Sequence, residues 1–446
     1  MNKLDTAIVT AALKKAGFEL AESVADADVV LINTCSVREH AEQRVISHLG
    51  HLKHIKETRP GLVVGVIGCM AQRLGGELLA REEVDIVCGS AQLHQITELV
   101  SQALQEKKKV LAVTEKIHVE SPQDLRLEEF ESVYDSDDKQ LPGQAFVRVM
   151  RGCDKFCSYC IVPYVRGPEV SRPPRVIIEQ VKRLAGRGVK QITLLGQAVN
   201  CYKYIAGQKI YSLADLLEMA SEIEGVEWIK FVTSYPAEES YDAILKAMKE
   251  LPKVCKYLHI PAQSGSDKIL KAMNRKYTAE QYLEMLYRAK EMVPGIATAG
   301  DFIVGFPGEE EEDFTATVRL VQEARYKNCF VFKYSPRPGT RAEKKLQDTV
   351  PAEVKKRRNV ELLAVQERIS SELSSEFTDK EVTVLVEGLS KKPHLDAENG
   401  VNQPQLVGRT GTEWIVVFNG PEELAGGFVR VKITKTSPLT LFGELV

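Results

Sequence analysis

Three cysteines spaced C-x3-C-x2-C, at Cys153, Cys157 and Cys160, follow an apolar run from Ala145 to Met150 that reads as a β-strand. No other stretch constrains the chain as much. Thiolates so close in sequence converge only if the residues between them turn tightly, so a loop at a strand end is expected. Iron–sulfur clusters are held by cysteine thiolates, usually four of them. Three close ligands with no nearby fourth therefore predict a cubane cluster with one open iron. In catalytic metal sites the open position is where a substrate or cofactor binds. A zinc loop is the competing reading, although zinc motifs are usually built from C-x2-C pairs with a partner pair or histidines.

Length and composition bound the rest. A chain of 446 residues is too long for one ordinary domain and suggests about three. Its 44% hydrophobic and 27% charged residues are those of a soluble globular protein. A net charge of −3 excludes a generally basic protein, so any nucleic-acid contact must come from local patches. No apolar run reaches the length of roughly 18 residues that a membrane-spanning helix needs, and the N-terminus lacks a secretion pattern. Nine cysteines without regular pairing argue for thiols and metal ligation rather than disulfides. A reducing cytoplasm is the expected location.

Residues 1–114 alternate helix and strand patterns. An amphipathic helix is expected from Asp5 to a glycine C-cap at Gly17, and buried strands at Val29–Ile32, Leu62–Ile67 and Val84–Cys88. Helices are expected up to about Thr58, from Gly68-Cys69 onward, and from about Leu93. Apolar strands joined by helices predict a doubly wound parallel sheet. Cys35 and Cys69 both lie where a strand passes into a helix. Ligands bind at that edge in open parallel sheets, and a helix N-terminus favours the thiolate. A buried structural cysteine is the competing reading for each, but two at equivalent positions argue for a shared metal site. Residues 115–143 turn acidic and irregular (Glu128, Glu129, Glu131, Asp135, Asp137, Asp138) and end at Pro142-Gly143. They read as a solvated linker, with an acidic regulatory segment as the alternative.

From residue 144 the βα alternation restarts. Strands are expected at Phe146–Met150, Gln191–Leu195, Trp228–Val232, Tyr257–Ile260, Ala299–Val304 and Phe330–Tyr334, with helices at Ser212–Ile223, Ser240–Leu251, Thr278–Met292 and Glu310–Arg325. Six parallel strands with outer helices make a partial (βα)6 barrel, whose chemistry gathers at the C-terminal strand ends. Gln197, Ser234, Gln263, and Ile303 with Gly305 and Glu309 lie there and become candidate ligand contacts; an ordinary βα turn competes for each. Cys201, Cys255 and Cys329 lack partners at ligand spacing, and the last two read as packing at strand starts. Lys355-Lys356-Arg357-Arg358 opens a helix running to about Ser375, with a solvated face or RNA contact as its two readings. Residues 377–446 change to β alternation at Val382–Val386, Trp414–Phe418 and Phe428–Ile433, which suggests a small OB-like β-barrel.

The cysteine triplet with Tyr159 before its last member resembles the signature of radical S-adenosylmethionine (SAM) enzymes. The continuation Ile161-Val162-Pro163-Tyr164-Val165-Arg166-Gly167-Pro168-Glu169-Val170-Ser171-Arg172-Pro173 resembles the methylthiotransferases among them. Asn33-Thr34-Cys35-Ser36-Val37-Arg38-Glu39, Gly68-Cys69-Met70-Ala71 and His259-Ile260-Pro261-Ala262-Gln263-Ser264-Gly265-Ser266 look most like the tRNA branch of that family. The resemblance spans nearly the whole chain. It implies four regions: a methylthiotransferase domain at 1–114, a linker at 115–143, a radical SAM core with a following helix at 144–376, and a TRAM-like RNA-binding barrel at 377–446. It implies two [4Fe–4S] clusters and SAM, the first cluster on Cys153, Cys157 and Cys160 and the second on Cys35, Cys69 and a third cysteine. The family places that third cysteine in a Gly-Cys-Gln-Met-Asn type stretch after an opening strand. This chain begins Met1-Asn2, so both strand and cysteine are expected upstream of Met1, and the loss of an interior strand is expected to expose both its neighbours. Cys88 is the only substitute ligand in view. The implied activity adds a methylthio group to C2 of an isopentenylated adenosine beside the tRNA anticodon, because an unactivated C–H needs radical chemistry. An electron donor, a sulfur donor and a monomeric state complete the expectation. The rival readings are methylthiolation of threonylcarbamoyl-adenosine or of a ribosomal-protein aspartate, and an RNA-associated binding protein impaired by an incomplete second cluster.

Overall fold

The computed structural model describes residues 1–446 except 35, 37–38, 115–121, 135–141, 237–240 and 392–403. The chain divides into two compact units. One comprises Met1–Asp135, Arg151–Val170 and Arg337–Thr340, the other Ser136–Met150, Ser171–Pro336 and Arg341–Val446.

The first unit is built on a parallel sheet of Val29–Thr34, Val63–Gly68, Ile86–Gly89 and Val110–Ala112, hydrogen-bonded in that order. The short last strand follows three consecutive lysines, too brief a run for its alternation to stand out. Val63 and Ile67 face one side of the sheet with Ile86, packed by Val9 and Leu13 of the helix Asn2–Lys15 and by Ile96, Leu99, Val100 and Ala103 of the helix Ile96–Glu106. Val64 and Val66 face the other side, against Val45, Leu49 and Leu52 of the helix Glu39–Thr58. Each such side chain contributes about 1.5–3 kcal/mol when fully buried. Helices on both faces make the sheet doubly wound, as predicted. The expected gap between the first two strands is corrected, since Val29 pairs directly with Val63 and Leu31 with Gly65 in parallel register. A glycine opposite Leu31 lets the two strands close up. The acidic stretch also departs from its reading as a solvated linker. Pro122–Ser132 is helical, and Glu131 is buried against Arg151 at 2.9 Å. Asp135, Asp137 and Asp138 lie outside the described residues.

The second unit carries six parallel strands, Gln144–Arg148, Gln191–Leu195, Trp228–Val232, Tyr257–His259, Ala297–Val304 and Asn328–Lys333. They form two three-stranded ladders, bridged where the Ser234 N–H donates to the His259 carbonyl at 3.1 Å. The outer helices start where polar caps dictate. Ser212 with Asp215 and Thr278 with Gln281 form reciprocal capping boxes that satisfy N-terminal N–H groups. The basic run on the helix Ala352–Ser375 is divided, with Lys356 and Arg357 exposed and the solvated reading corrected for Lys355 and Arg358. Lys355 is buried on Asp348 at 2.6 Å and Arg358 on Glu309 at 2.8 Å, while exposed Arg357 pairs with Glu311.

The C-terminal barrel closes through five strands, Glu381–Leu389, Gln405–Arg409, Ile415–Asn419, Thr440–Leu445 and Phe428–Thr436, in that spatial order. Val384, Leu406, Val416, Phe418, Val431 and Leu441 fill it. Its turn at Thr410–Trp414 caps the amino ends of the parallel strands. The Glu413 carboxylate accepts hydrogen bonds from Lys230 and, at 3.3 Å, from Arg409, and its carbonyl accepts from Lys327 at 2.8 Å. Trp228 meets Phe428 edge to face at 4.7 Å beside it. Burial pulls Lys327 down to about 8 against the attraction of Glu413.

Two outcomes follow from this buried charge group. Glu413→Ala leaves Lys230 buried without its carboxylate and should cost about 3–5 kcal/mol in urea unfolding, with Lys230→Met/Glu413→Ala milder. Lys327 has a folded pKa below its unfolded value, so the unfolded chain binds more protons between them. Its contribution to stability therefore rises from about pH 8 towards pH 10. Thermal midpoints across that window should climb for the parent relative to Lys327→Met.

Candidate active site

The cysteine loop belongs to the first unit. Arg151 anchors its entrance on Glu131 and Glu128, at 2.9 and 3.4 Å. Gly152 follows at φ +70°, and a Cβ there would lie 1.8 Å from the Pro168 carbonyl, so only glycine fits. The loop then closes on itself. The Cys153 N–H donates to the Gly167 carbonyl and the Cys160 N–H to the Cys157 carbonyl, both at 3.0 Å, while the Asp154 N–H donates to Glu169 at 3.2 Å. Phe156 takes a left-handed φ of 46°, unusual for an aromatic residue, and is half exposed with its ring edge to Tyr164. Cys153, Cys157 and Cys160 are all partly buried.

Burial pushes the Cys153 thiol up to about 11, opposed by the Lys155 N–H and reinforced by Glu169 and Cys157. It is therefore protonated at neutral pH until a metal displaces the proton. Among the described residues, no three His, Cys, Asp or Glu side chains gather as ligands of one ion would. The three partly buried thiols share one closed loop.

The other candidates lie in the second unit, at the carboxyl ends of its strands. Both polar side-chain atoms of Gln197 and the Ser234 hydroxyl are buried with no hydrogen-bond partner among the described residues. Such groups cost about 1–3 kcal/mol each when unsatisfied, which suits a site completed by a polar ligand. Gln263 is buried at φ +73°, its N–H donating to the Asp301 carbonyl and its own carbonyl accepting from the Ile303 N–H. The Gly305 N–H donates to the Glu309 carboxylate at 2.7 Å. Burial raises the Glu309 pKa while Gly305 and Arg358 oppose it, so this carboxylate shapes its own turn. Ile303 is partly buried. Sequence reasoning missed the His259–Asp301 pair at 3.2 Å, with exposed Phe330 edge-on to the imidazole.

Cys69 is buried at the junction of Val63–Gly68 and the helix Cys69–Leu74, as its pattern predicted, and packs on Ile161 and Val165 just beyond the cysteine loop. Cys35 lies outside the described residues, directly after the strand Val29–Thr34. Cys88 is wholly buried among Ile86, Ile96 and Val100, and burial drives its thiol far above the usual range. Cys255 and Cys329 are raised by burial as well, the former to about 12, while Cys201 ends the short helix Val199–Cys201.

Comparison with known proteins adds the family. Residues 147–321 match the radical SAM superfamily, 1–89 match "Uncharacterized protein family UPF0004", and 377–446 match the TRAM domain. Two solved structures of TsrM, a radical S-adenosylmethionine methyltransferase from Kitasatospora setae, resemble the chain at TM-scores of 0.50 and 0.52. They share 15% and 14% identity over 74% and 76% of this chain and 70% of theirs, which shows a common fold. A tRNA-2-methylthio-N(6)-dimethylallyladenosine synthase from Rhodopirellula baltica is 42% identical over all of this chain and 93% of its own. The synthase of the same name from Thermoanaerobacter sp. is also 42% identical, over all of this chain and 90% of its own. With that similarity from end to end, the chain belongs to the family of tRNA-2-methylthio-N(6)-dimethylallyladenosine synthases.

Proposed function

We propose that this chain is a radical SAM methylthiotransferase that adds a methylthio group to C2 of an isopentenylated adenosine next to the tRNA anticodon. The observation that carries the reading is the closed three-cysteine loop in a chain so similar to these synthases along its whole length. Threonylcarbamoyl-adenosine, a ribosomal-protein aspartate and a purely binding role find no support among the relatives' names.

Cys153, Cys157 and Cys160 are assigned to the SAM-cleaving [4Fe–4S] cluster. These three thiolates would hold the cluster, which would supply the one-electron chemistry that reductive cleavage of SAM needs. Arg151, through Glu131 and Glu128, and Gly152, through its left-handed backbone, fix the entrance of the loop. Gln197 and Ser234 offer unsatisfied polar atoms for SAM, and Gln263, Ile303, Gly305 and Glu309, also at strand ends, are assigned to the same cofactor. Cys35 and Cys69 are assigned to a second cluster, the sulfur-carrying one. Cys69 fits that role by its buried strand-end position, and beside it Asn33 leaves a buried carbonyl oxygen without a partner among the described residues. The target base must leave its loop to be reached, as single-stranded RNA permits. An electron donor and a sulfur donor act with the enzyme, in the cytoplasm, and the C-terminal barrel supplies RNA affinity.

Anaerobic reconstitution with iron and sulfide, then SAM, dithionite and prenylated tRNA, tests this directly. The parent should yield 5′-deoxyadenosine and the methylthiolated nucleoside, and Cys153→Ala, Cys157→Ala or Cys160→Ala should yield neither. Persistent SAM cleavage in any of the three would refute the ligand assignment. Removing residues 377–446 should weaken tRNA binding and flatten its salt dependence, which filter binding across a salt series measures.

A further inference from the structure

The ladder of Tyr257–His259, Ala297–Val304 and Asn328–Lys333 has one covered face and one open face. Leu258, Gly300, Phe302 and Val304 are buried, whereas His259, Asp301 and Ile303 are partly open. Successive side chains of a strand point to opposite faces, so these three share the open one. Phe330 stands opposite Asp301 in parallel register, joins the same face, and is 49% exposed. There His259 Nε2 meets Asp301 Oδ1 at 3.2 Å, and the Phe330 ring stands edge-on to the imidazole with centroids 6.3 Å apart. The backbone beneath is pinned. The Ser234 N–H donates to the His259 carbonyl at 3.1 Å, and the Gln263 N–H to the Asp301 carbonyl at 2.8 Å. All of these residues lie within the second unit.

A bond from His259 to Asp301 is not needed to join two strands that their own ladder already joins. An aromatic ring left half open on a strand also forgoes much of the burial that such rings gain elsewhere. An aromatic platform beside one oriented polar atom is how single-stranded RNA bases are held, by stacking and by bonds to their edges. A carboxylate only accepts, so Nε2 carries the proton, and in the uncharged ring Nδ1 keeps a lone pair. Among the described residues Nδ1 has no partner. An adenine alkylated once on N6 retains one N6–H, a donor that suits this nitrogen.

We propose that this face holds the target base, with Phe330 stacking on the prenylated adenine and His259 Nδ1 accepting its N6–H. Asp301 is then a positioning residue that orients the imidazole. The proposal rests on the substrate reading given above. The adenine of SAM is the other ring of this chemistry. The groups assigned to SAM gather at and past the strand ends, while Asp301 and Phe330 stand further back within their strands.

The test is methylthiolation by the reconstituted full chain. It reads the KM for a prenylated anticodon stem-loop, the KM for SAM, and the ratio of 5′-deoxyadenosine to methylthiolated nucleoside. If the parent forms no methylthiolated nucleoside, the substrate reading fails and the proposal with it. Phe330→Ala removes a half-exposed ring and should raise the stem-loop KM about 10-fold, with Phe330→Tyr restoring it. His259→Gln keeps an amide for Asp301 but loses the Nδ1 acceptor, and it should also raise that KM about 10-fold. Both it and Asp301→Ala should make more 5′-deoxyadenosine per product, whereas a general loss of folding lowers both together. The decisive arm is a stem-loop whose adenosine bears a methyl as well as the prenyl group on N6, and so has no N6–H. It should cost the parent about 10-fold and cost His259→Gln little more, because the same bond is lost in both. If the two losses multiply, or if the KM for SAM rises in place of that for the stem-loop, the proposal is overturned.

Discussion

The sheet of the first unit and the six-stranded arc of the second run parallel throughout, and this decides where chemistry can sit. A strand within a parallel sheet commits its N–H and C=O groups to neighbours and buries both faces under helices. Only the loops leaving its carboxyl end keep groups to offer. Cys69 begins the helix after Val63–Gly68, and the cysteine loop follows Gln144–Arg148 within a few residues. Gln197, Ser234, Gln263 and Gly305 each stand just past a strand of the arc. Two separate regions of the sequence thus place their candidate residues by the same rule.

The amino ends of the arc are organised for the opposite purpose. Lys230 sits near the start of one strand and Lys327 just before another, and Glu413 from the C-terminal barrel lies against both. Two buried cations near each other would repel, and a single carboxylate on a turn with φ +67° compensates them. Burial raises the Glu413 pKa, yet Lys230 and Arg409 hold it below the usual carboxylate range, so it stays charged. The barrel is thereby seated by electrostatics at the face away from the strand-end groups. Stability and chemistry occupy opposite ends of the same strands.

Much of this was legible because periodicity and capping are local. All six strands of the arc were expected within a few residues of where they form, and so were the capped helices beginning after Ser212 and Thr278. What escaped is what depends on partners distant in sequence. Val110–Ala112, Gln405–Arg409 and Thr440–Leu445 are short or polar strands stabilised by their ladders rather than by apolar runs. Glu131 looked like one more acid in a solvated stretch until Arg151 claimed it. Lys355 and Arg358 looked like surface charge, because sequence shows a residue's charge but not the carboxylates folded against it. Of the candidate site, the tight loop carrying the three cysteines was plain from spacing alone. The burial of Cys88 was not, since a thiol on a strand gives no sign of which helix covers it.

The order of strands in the C-terminal barrel has a consequence for synthesis. Thr440–Leu445 pairs in parallel with Ile415–Asn419 and antiparallel with Phe428–Thr436, so the last of the five barrel strands to be translated is the one that joins two open edges. Until it emerges, both edges present unpaired N–H and C=O groups that invite association with other chains. Nascent chains that stall or are cut shortly before residue 440 should therefore be sticky as well as inactive. The ribosome finishes the parallel strands long before the turn bearing Glu413 has a closed barrel to hold it against Lys230 and Lys327.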